Sequence, residues 1–436
     1  MSRELIKAMR ELRQPPVHHS RFGESEFTNW QDEQMSWHET CYIGDWSFLT
    51  NLIVEGPDAL KLFSDTSVNS YAKFDIGQCK HIIFCNGDGK VVAEGIIQRL
   101  KEQKFAVQAP APALYTEYKL ATGSYNATCH EEPNTNFQVS GPNALYVLEK
   151  LTEDDLRHCR VMHFVKIHIC GREVLAMRMG MASEIGFELQ ASMEYYKEIL
   201  DAVLEAGQEY GIKRVGRRTV NINHLEACYP TGNWHYLMAI HGPDMAGYRE
   251  FRRKKMNYAG SYGVLAGSFE GNDISDYYRS PVECGWTKRI GFDHEFIGRK
   301  PLEAEVANPK RTVVTLVFNS EDMIEIYASL FREGEPYMFM DVPLQQRFVH
   351  HADQVLKDGR QVGVSTVPGY SYYFRKILSL TYIDIQHSKP GTEVEIAWGN
   401  PGTRQKLVRA TVAPAPYKKD NRWVDLTTLP SQKRRV

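Results

Sequence analysis

Val54-Glu-Gly-Pro-Asp-Ala-Leu-Lys-Leu-Phe-Ser-Asp65 and Val139-Ser-Gly-Pro-Asn-Ala-Leu-Tyr-Val-Leu-Glu-Lys150 are two versions of one pattern, identical in register at Val, Gly, Pro, Ala and Leu. Each leads from a β-branched run through Gly-Pro into an amphipathic segment, with proline placed where a first-turn N–H would have no helical partner anyway. The spacing predicts a strand followed by a helix, twice, about one subdomain apart. Period and punctuation agree, which points to a structural duplication. Duplication describes architecture and names no chemistry.

Between the two units, residues 78–100 alternate and turn at Asn86-Gly-Asp-Gly89, a hairpin signal with 90–97 as the return strand. Glu94 therefore lies in a mostly apolar strand. Beyond the second unit, Gly186-Phe-Glu-Leu-Gln190 predicts a strand with Phe187 and Leu189 on one face and Glu188 on the other. A helix follows, its apolar stripe formed by Tyr196, Ile199, Leu200, Val203 and Leu204, with Gly211 as C-cap. From about Arg311 the pattern changes to short β runs at 312–318, 362–365, 378–383 and 393–397, which predict an all-β C-terminal domain of barrel or jelly-roll type.

Composition narrows the function. The chain has 436 residues, enough for two or three domains with real cores, which excludes a peptide or a lone binding module. A net charge of −2 offers no bulk field for nucleic acid or an anionic membrane, and no apolar run approaches the length that spans a bilayer. The amphipathic start, Met1 to Pro16, lacks the form of a secretory signal, so the expected compartment is cytoplasmic. Cys41, Cys79, Cys85, Cys129, Cys159, Cys170, Cys228 and Cys284 form no CxxC pair, neither a disulfide framework nor a zinc spacing, and are expected to be reduced. His18-His19 and His350-His351 point adjacent side chains to different faces, so no metal site is expected. Motifs of the GxxxxGK[ST], GxSxG, GxGxxG and HExxH types are absent, which removes support for the common ATPase, lipase, Rossmann and zincin readings. The basic end Lys433-Arg-Arg435 is read as a frayed terminus, and no motif for a protein partner stands out.

Several segments together resemble the T-protein (aminomethyltransferase) superfamily: the first Gly-Pro unit through 86–97, the strand Gly186-Phe-Glu188, the stretch 280–286 leading into 293–302, and Gly369-Tyr-Ser371. The resemblance covers nearly the whole chain. It implies an α+β fold, a three-lobed ring of two α/β lobes and a C-terminal β-barrel or jelly-roll lobe, with folate in the central opening. The expected division is residues 1–310 for two interleaved folate-binding lobes and 311–436 for the β domain. Residues 27–34, 267–269 with 276–278, and 326–330 resemble the tetrahydrofolate-dependent aromatic O-demethylases of vanillate, 3-O-methylgallate and syringate. Such enzymes move an aryl ether's methyl group to N5 of tetrahydrofolate.

The resemblance implies site residues one by one. Glu188 matches the glutamate that binds the pterin, whose edge offers an N–H and an amino group side by side to a carboxylate. Glu94 matches one of two adjacent acids near folate N5 in T-proteins, but the first of that pair is Ala93 here, which argues against aminomethyl transfer. Tyr229 matches an aromatic that borders folate, and Arg218 an arginine of the same segment. A tyrosine that vanillate-type enzymes place beside the ether is Val220 here; an arginine that holds the substrate carboxylate is absent from 107–112; a pocket histidine falls near Phe48. The implied pocket is apolar, with Trp46, Phe48 and Val220 as walls and a methoxyarene as substrate, syringate-like or a halogenated methoxybenzoate. His224 is the candidate acid at the leaving oxygen. Aminomethyl transfer, S-demethylation and non-catalytic folate binding are the rival functions.

Overall fold

In the computed structural model, which describes residues 2–11, 24–256, 264–344 and 349–430, the two Gly-Pro units fold alike. Strand Asn51–Glu55 leads to helix Ala59–Thr66, and strand Asn134–Ser140 to helix Ala144–Leu151. Gly56 and Gly141 carry φ of 145° and 135°. A Cβ at Gly56 would lie 2.6 Å from the Asn126 carbonyl oxygen, and one at Gly141 2.7 Å from that of Thr40, so both turns need glycine for the same close backbone approach. The helix N-caps are Asp58 and Asn143, which puts Pro57 and Pro142 just before the cap rather than inside the first turn.

Each unit belongs to its own sheet. The first sheet, antiparallel throughout, runs Cys79–Cys85, Val91–Lys101, Lys104–Gln108, Asn51–Glu55, Thr128–Glu131. The second runs Ile212–Arg214, Cys41–Asp45, Asn134–Ser140, Gly186–Ser192, Arg172–Arg178, Phe164–Ile169. Strand Cys41–Asp45 precedes every strand of the first sheet yet pairs in the second, so the two lobes interleave. In the third sheet Arg311–Phe318 pairs with both Lys406–Ala413 and Lys376–Asp384, closing six strands into a barrel rather than a jelly roll. Each sheet backs its own apolar cluster, and a fourth, holding Trp37, Tyr42, Trp46, Val220, Tyr236 and Tyr382, forms where the lobes meet.

Buried carboxylates fix the helix at this junction. Glu33 accepts from Gly216 N at 2.8 Å and Thr219 Oγ1 at 2.7 Å, satisfying the first turn of helix Arg217–Ala227. At its far end Glu226 accepts from Trp37 Nε1 at 2.8 Å and from Ser371 Oγ of the barrel at 2.6 Å. The C-terminal segment then folds back over the second lobe: Lys418 pairs with Glu184, both buried, and Asn421 N bonds Ser183 O at 2.9 Å. The predicted helix is Tyr196–Gly207 with a 3-10 turn, ended by Gly211 at φ 68°. All eight cysteines are free. His18, His19 and the 433–435 tail lie outside the described residues.

Candidate functional site

Strand alternation gives the second sheet two unlike faces. Ile43, Phe137, Val139, Phe187 and Leu189 turn to the apolar core. On the other face Gly44, Gln138, Glu188 and Met177 lie opposite one another in one row across four strands. Glu188 is 6% exposed, and its carboxylate accepts from Gln138 Nε2 at 3.1 Å and Asn136 Nδ2 at 3.4 Å. Gln138 is held in turn by the Tyr42 hydroxyl. No cation pairs with Glu188 among the described residues, so burial pushes its pKa up to about 7 from an ordinary 4.5, against the pull of the two amide donors.

Open hydrogen-bonding capacity surrounds it. Asn136 Oδ1 and Gln190 Nε2 are buried with no partner among the described residues. Such a set fits a flat heterocycle that presents adjacent N–H groups to a carboxylate, the geometry implied for a pterin. Gly44 makes room for one wall: a Cβ there would come within 2.5 Å of the Trp46 indole, which packs against this row.

Tyr229 stands near this row, within electrostatic reach of Tyr42 and Glu188. Its hydroxyl accepts from Arg422 Nη1, and Arg422 is held by Asp420 through Nε at 2.8 Å and Nη2 at 2.7 Å. With that oxygen engaged as acceptor, its own proton remains to be donated, and no described residue takes it. The charge of Glu188 reaches Tyr229 and, with burial, pushes the phenol's pKa up. Its ring meets His224 edge-on at 6.0 Å.

His224 is not placed as a ready acid. Burial lowers its pKa to about 4, although Val220 O and the charge of Glu94 favour the protonated form. The contacts of Nδ1 with Val220 O at 3.3 Å and Asn223 Oδ1 at 2.7 Å require its proton there, which leaves Nε2 a neutral acceptor. Glu94 is half-buried and pairs with His81 Nε2 at 2.9 Å across the hairpin, and Trp286 stands edge-on to His81 at 4.7 Å. Arg218 does not join the group: its guanidinium pairs with Glu26 and donates to Val342 O at 2.8 Å, which ties the helix to its surroundings. Trp46, Phe48 and Val220 belong to one apolar cluster, with Val220 only 2% exposed. Among the described residues no three His, Cys, Asp or Glu side chains converge on a metal position, and His351 is bonded to Asp353 at 2.6 Å.

Asn136 and Gln138 alternate with Phe137 and Val139 in the second repeat's strand, a signal that could have found them. Arg422 lies in an irregular tail and has no local signature.

Comparisons with known proteins agree with this architecture. Residues 10–236 match the model of the GCVT N-terminal domain, and 339–418 that of the glycine cleavage T-protein C-terminal barrel domain. The chain belongs to the glycine cleavage T-protein family, whose members are tetrahydrofolate-dependent transferases. It is 33% identical over 423 residues to a sesamin methylene transferase of a Sinomonas species, covering 93% of each chain. It is 32% identical to a syringate O-demethylase of a Sphingobium species, covering 90% of this chain and 89% of the relative. An aminomethyltransferase of Caldanaerobacter subterraneus is 23% identical over 86% of this chain and 85% of its own. The crystal structure of aminomethyltransferase T from Bartonella henselae superposes over 90% of both chains with a TM-score of 0.65 at 16% identity, a likeness of fold. No described helix is long and apolar enough to cross a membrane.

Proposed function

We propose that this protein is a tetrahydrofolate-dependent O-demethylase of a methoxylated aromatic. The observation that carries the reading is the buried, unpaired carboxylate of Glu188 among open amide groups, beside an aromatic-walled cluster that contains Trp46, Phe48 and Val220. Ala93 in place of an acid beside Glu94 and the two relatives above 30% identity that act on aromatic compounds point the same way.

Tetrahydrofolate supplies a neutral N5 amine as nucleophile. In the transfer an N–CH3 bond forms as the aryl O–CH3 bond breaks, the bonding pair stays on the phenolate oxygen, and the N5 proton is released to balance it. The chain's part is to align the two ligands and to stabilise charge. Glu188 holds the pterin edge. Tyr229 and Trp46 confine the rings. In this reading the neutral His224 Nε2 accepts a proton and the Tyr229 hydroxyl donates one.

A second reading is favoured by one observation, the 33% identity to a sesamin methylene transferase: the ether would be a methylenedioxy group. Anaerobic incubation with tetrahydrofolate and a panel of vanillate, syringate, 3-O-methylgallate, guaiacol, chlorinated methoxybenzoates and a methylenedioxybenzene separates the two. Methyl ethers give 5-methyltetrahydrofolate, and methylenedioxy ethers give the methylene derivative. Folate binding with no product from any arene would overturn both.

A further inference from the structure

The cations around this site are not evenly neutralised. Arg422 has Asp420. Arg289 has no ion pair or guanidinium hydrogen bond with any described residue, though it stands close enough to Tyr229 and Arg422 for its charge to act on both. It is exposed, and protein packed around its guanidinium lowers its pKa by desolvation. Its position is fixed by backbone: Arg289 N bonds Trp286 O at 2.7 Å, and Asn69 Nδ2 bridges the carbonyls of Arg289 at 3.4 Å and His81 at 2.7 Å. That bridge sets Arg289 beside Lys80, which lies 5.5 Å over the Phe74 ring and likewise has no ion pair among the described residues. Asp293 is the nearby acid that acts on Lys80, but its oxygens are engaged by Ser70 Oγ at 2.6 Å and His294 Nδ1 at 3.1 Å.

Two unpaired cations held side by side against a third repel one another, a cost that an anion would remove. We propose that Arg289, assisted by Lys80, anchors a carboxylate of the ligands that enter this opening. The proposal rests on the folate and methoxyarene reading above and supplies the carboxylate contact that residues 107–112 lack. A guanidinium with its whole fork free suits a carboxylate, which it can bind through two parallel N–H bonds. Two sources carry that group: the glutamyl tail of tetrahydrofolate and the ring carboxylate of a benzoate-type arene.

Calorimetric titration of the full chain, Arg289→Gln and Lys80→Gln distinguishes them with paired ligands: tetrahydrofolate against tail-less 6-methyltetrahydropterin, and syringate against 2,6-dimethoxyphenol. If the tail is held, Arg289→Gln weakens tetrahydrofolate about tenfold or more and leaves the pterin unchanged. If the arene is held, syringate weakens by a similar factor and dimethoxyphenol does not. Lys80→Gln gives a smaller loss in the same arm. Unchanged affinity for both carboxylate-bearing ligands in both variants overturns the anchor while the folate reading stands. Failure of the unsubstituted protein to bind even the tail-less pterin overturns the folate reading and the anchor with it. Arg289 is exposed, so loss of folding does not confuse the comparison; near-equal melting temperatures verify this.

Discussion

Replacing Glu188 with glutamine separates two consequences of one buried charge. In the folded protein its pKa is about 7, against 4.5 for an ordinary glutamate. Between these values the folded state holds more protons than the unfolded chain, so stability is greatest below about 4.5 and falls as pH rises, the loss being complete above about 7. At ~1.4 kcal/mol per tenfold change in proton affinity the loss is about 3 kcal/mol. Glu188→Gln removes the titration. Any fixed cost of turning an amide toward Asn136 and Gln138 is the same at every pH, so the stability gap between variant and parent moves in the variant's favour by about 3 kcal/mol from pH 4.5 to pH 8. At ~2.1 cal/mol/K per residue over the whole chain, that is about 3 °C in melting temperature. Tetrahydrofolate binding behaves oppositely. The ligand needs the ionised carboxylate, so affinity for the parent falls about tenfold from pH 8 to pH 6, and the variant loses about 100-fold at pH 8 with little pH dependence below it. Differential scanning fluorimetry and calorimetry across this range read both effects. A parallel pH dependence of parent and variant, with equal folate affinity, would mean that Glu188 neither titrates near 7 nor holds the pterin.

Lys418→Met leaves Glu184 buried without its cation, and the expected loss is about 3–5 kcal/mol, read as a lower melting temperature with faster amide exchange in residues 417–425. Arg422→Ala frees the Tyr229 hydroxyl; quench-flow should find slower methyl transfer, with the far-ultraviolet spectrum unchanged. Val220→Tyr enlarges a side chain that is 2% exposed in a packed cluster, and denaturant titration should show a loss of about 1–3 kcal/mol together with an altered arene profile. Gly267→Ala would bring a Cβ within 2.1 Å of the Ala352 carbonyl oxygen at a φ of 96°, so a fall in expression and melting temperature is expected.

The repeat and the strand around Glu188 were legible because their signals are local. Gly-Pro after a β-branched run needs only its own neighbours, and alternation at Phe187, Glu188 and Leu189 decides faces without tertiary knowledge. That the lobes interleave was implied by the family resemblance alone, and nothing in the sequence singled out Cys41–Asp45 as the strand that joins the second sheet, since strand partners are set by long-range packing. Barrel against jelly roll turned on the closing pair of Arg311–Phe318 with Lys376–Asp384, which no single strand announces. Arg218 and His224 illustrate a different limit. A residue type and a position on a helix do not say where the side chain's hydrogen bonds go; Glu26 claims one, and burial with Asn223 and Val220 decides the protonation of the other. Arg422, in an irregular segment, and the proposed anchor Arg289, in the single 3-10 turn Thr287–Arg289, were missed because neither is long enough or regular enough to carry a period from which direction can be read.

Methyl transfer is tested most directly with a trideuteriomethoxy arene in oxygen-18 water under anaerobic conditions, followed by mass spectrometry of both products. Methyl transfer by displacement predicts that all three deuterium atoms arrive together on tetrahydrofolate and that the phenol keeps its original oxygen. Unlabelled folate, or oxygen-18 in the phenol, would contradict it.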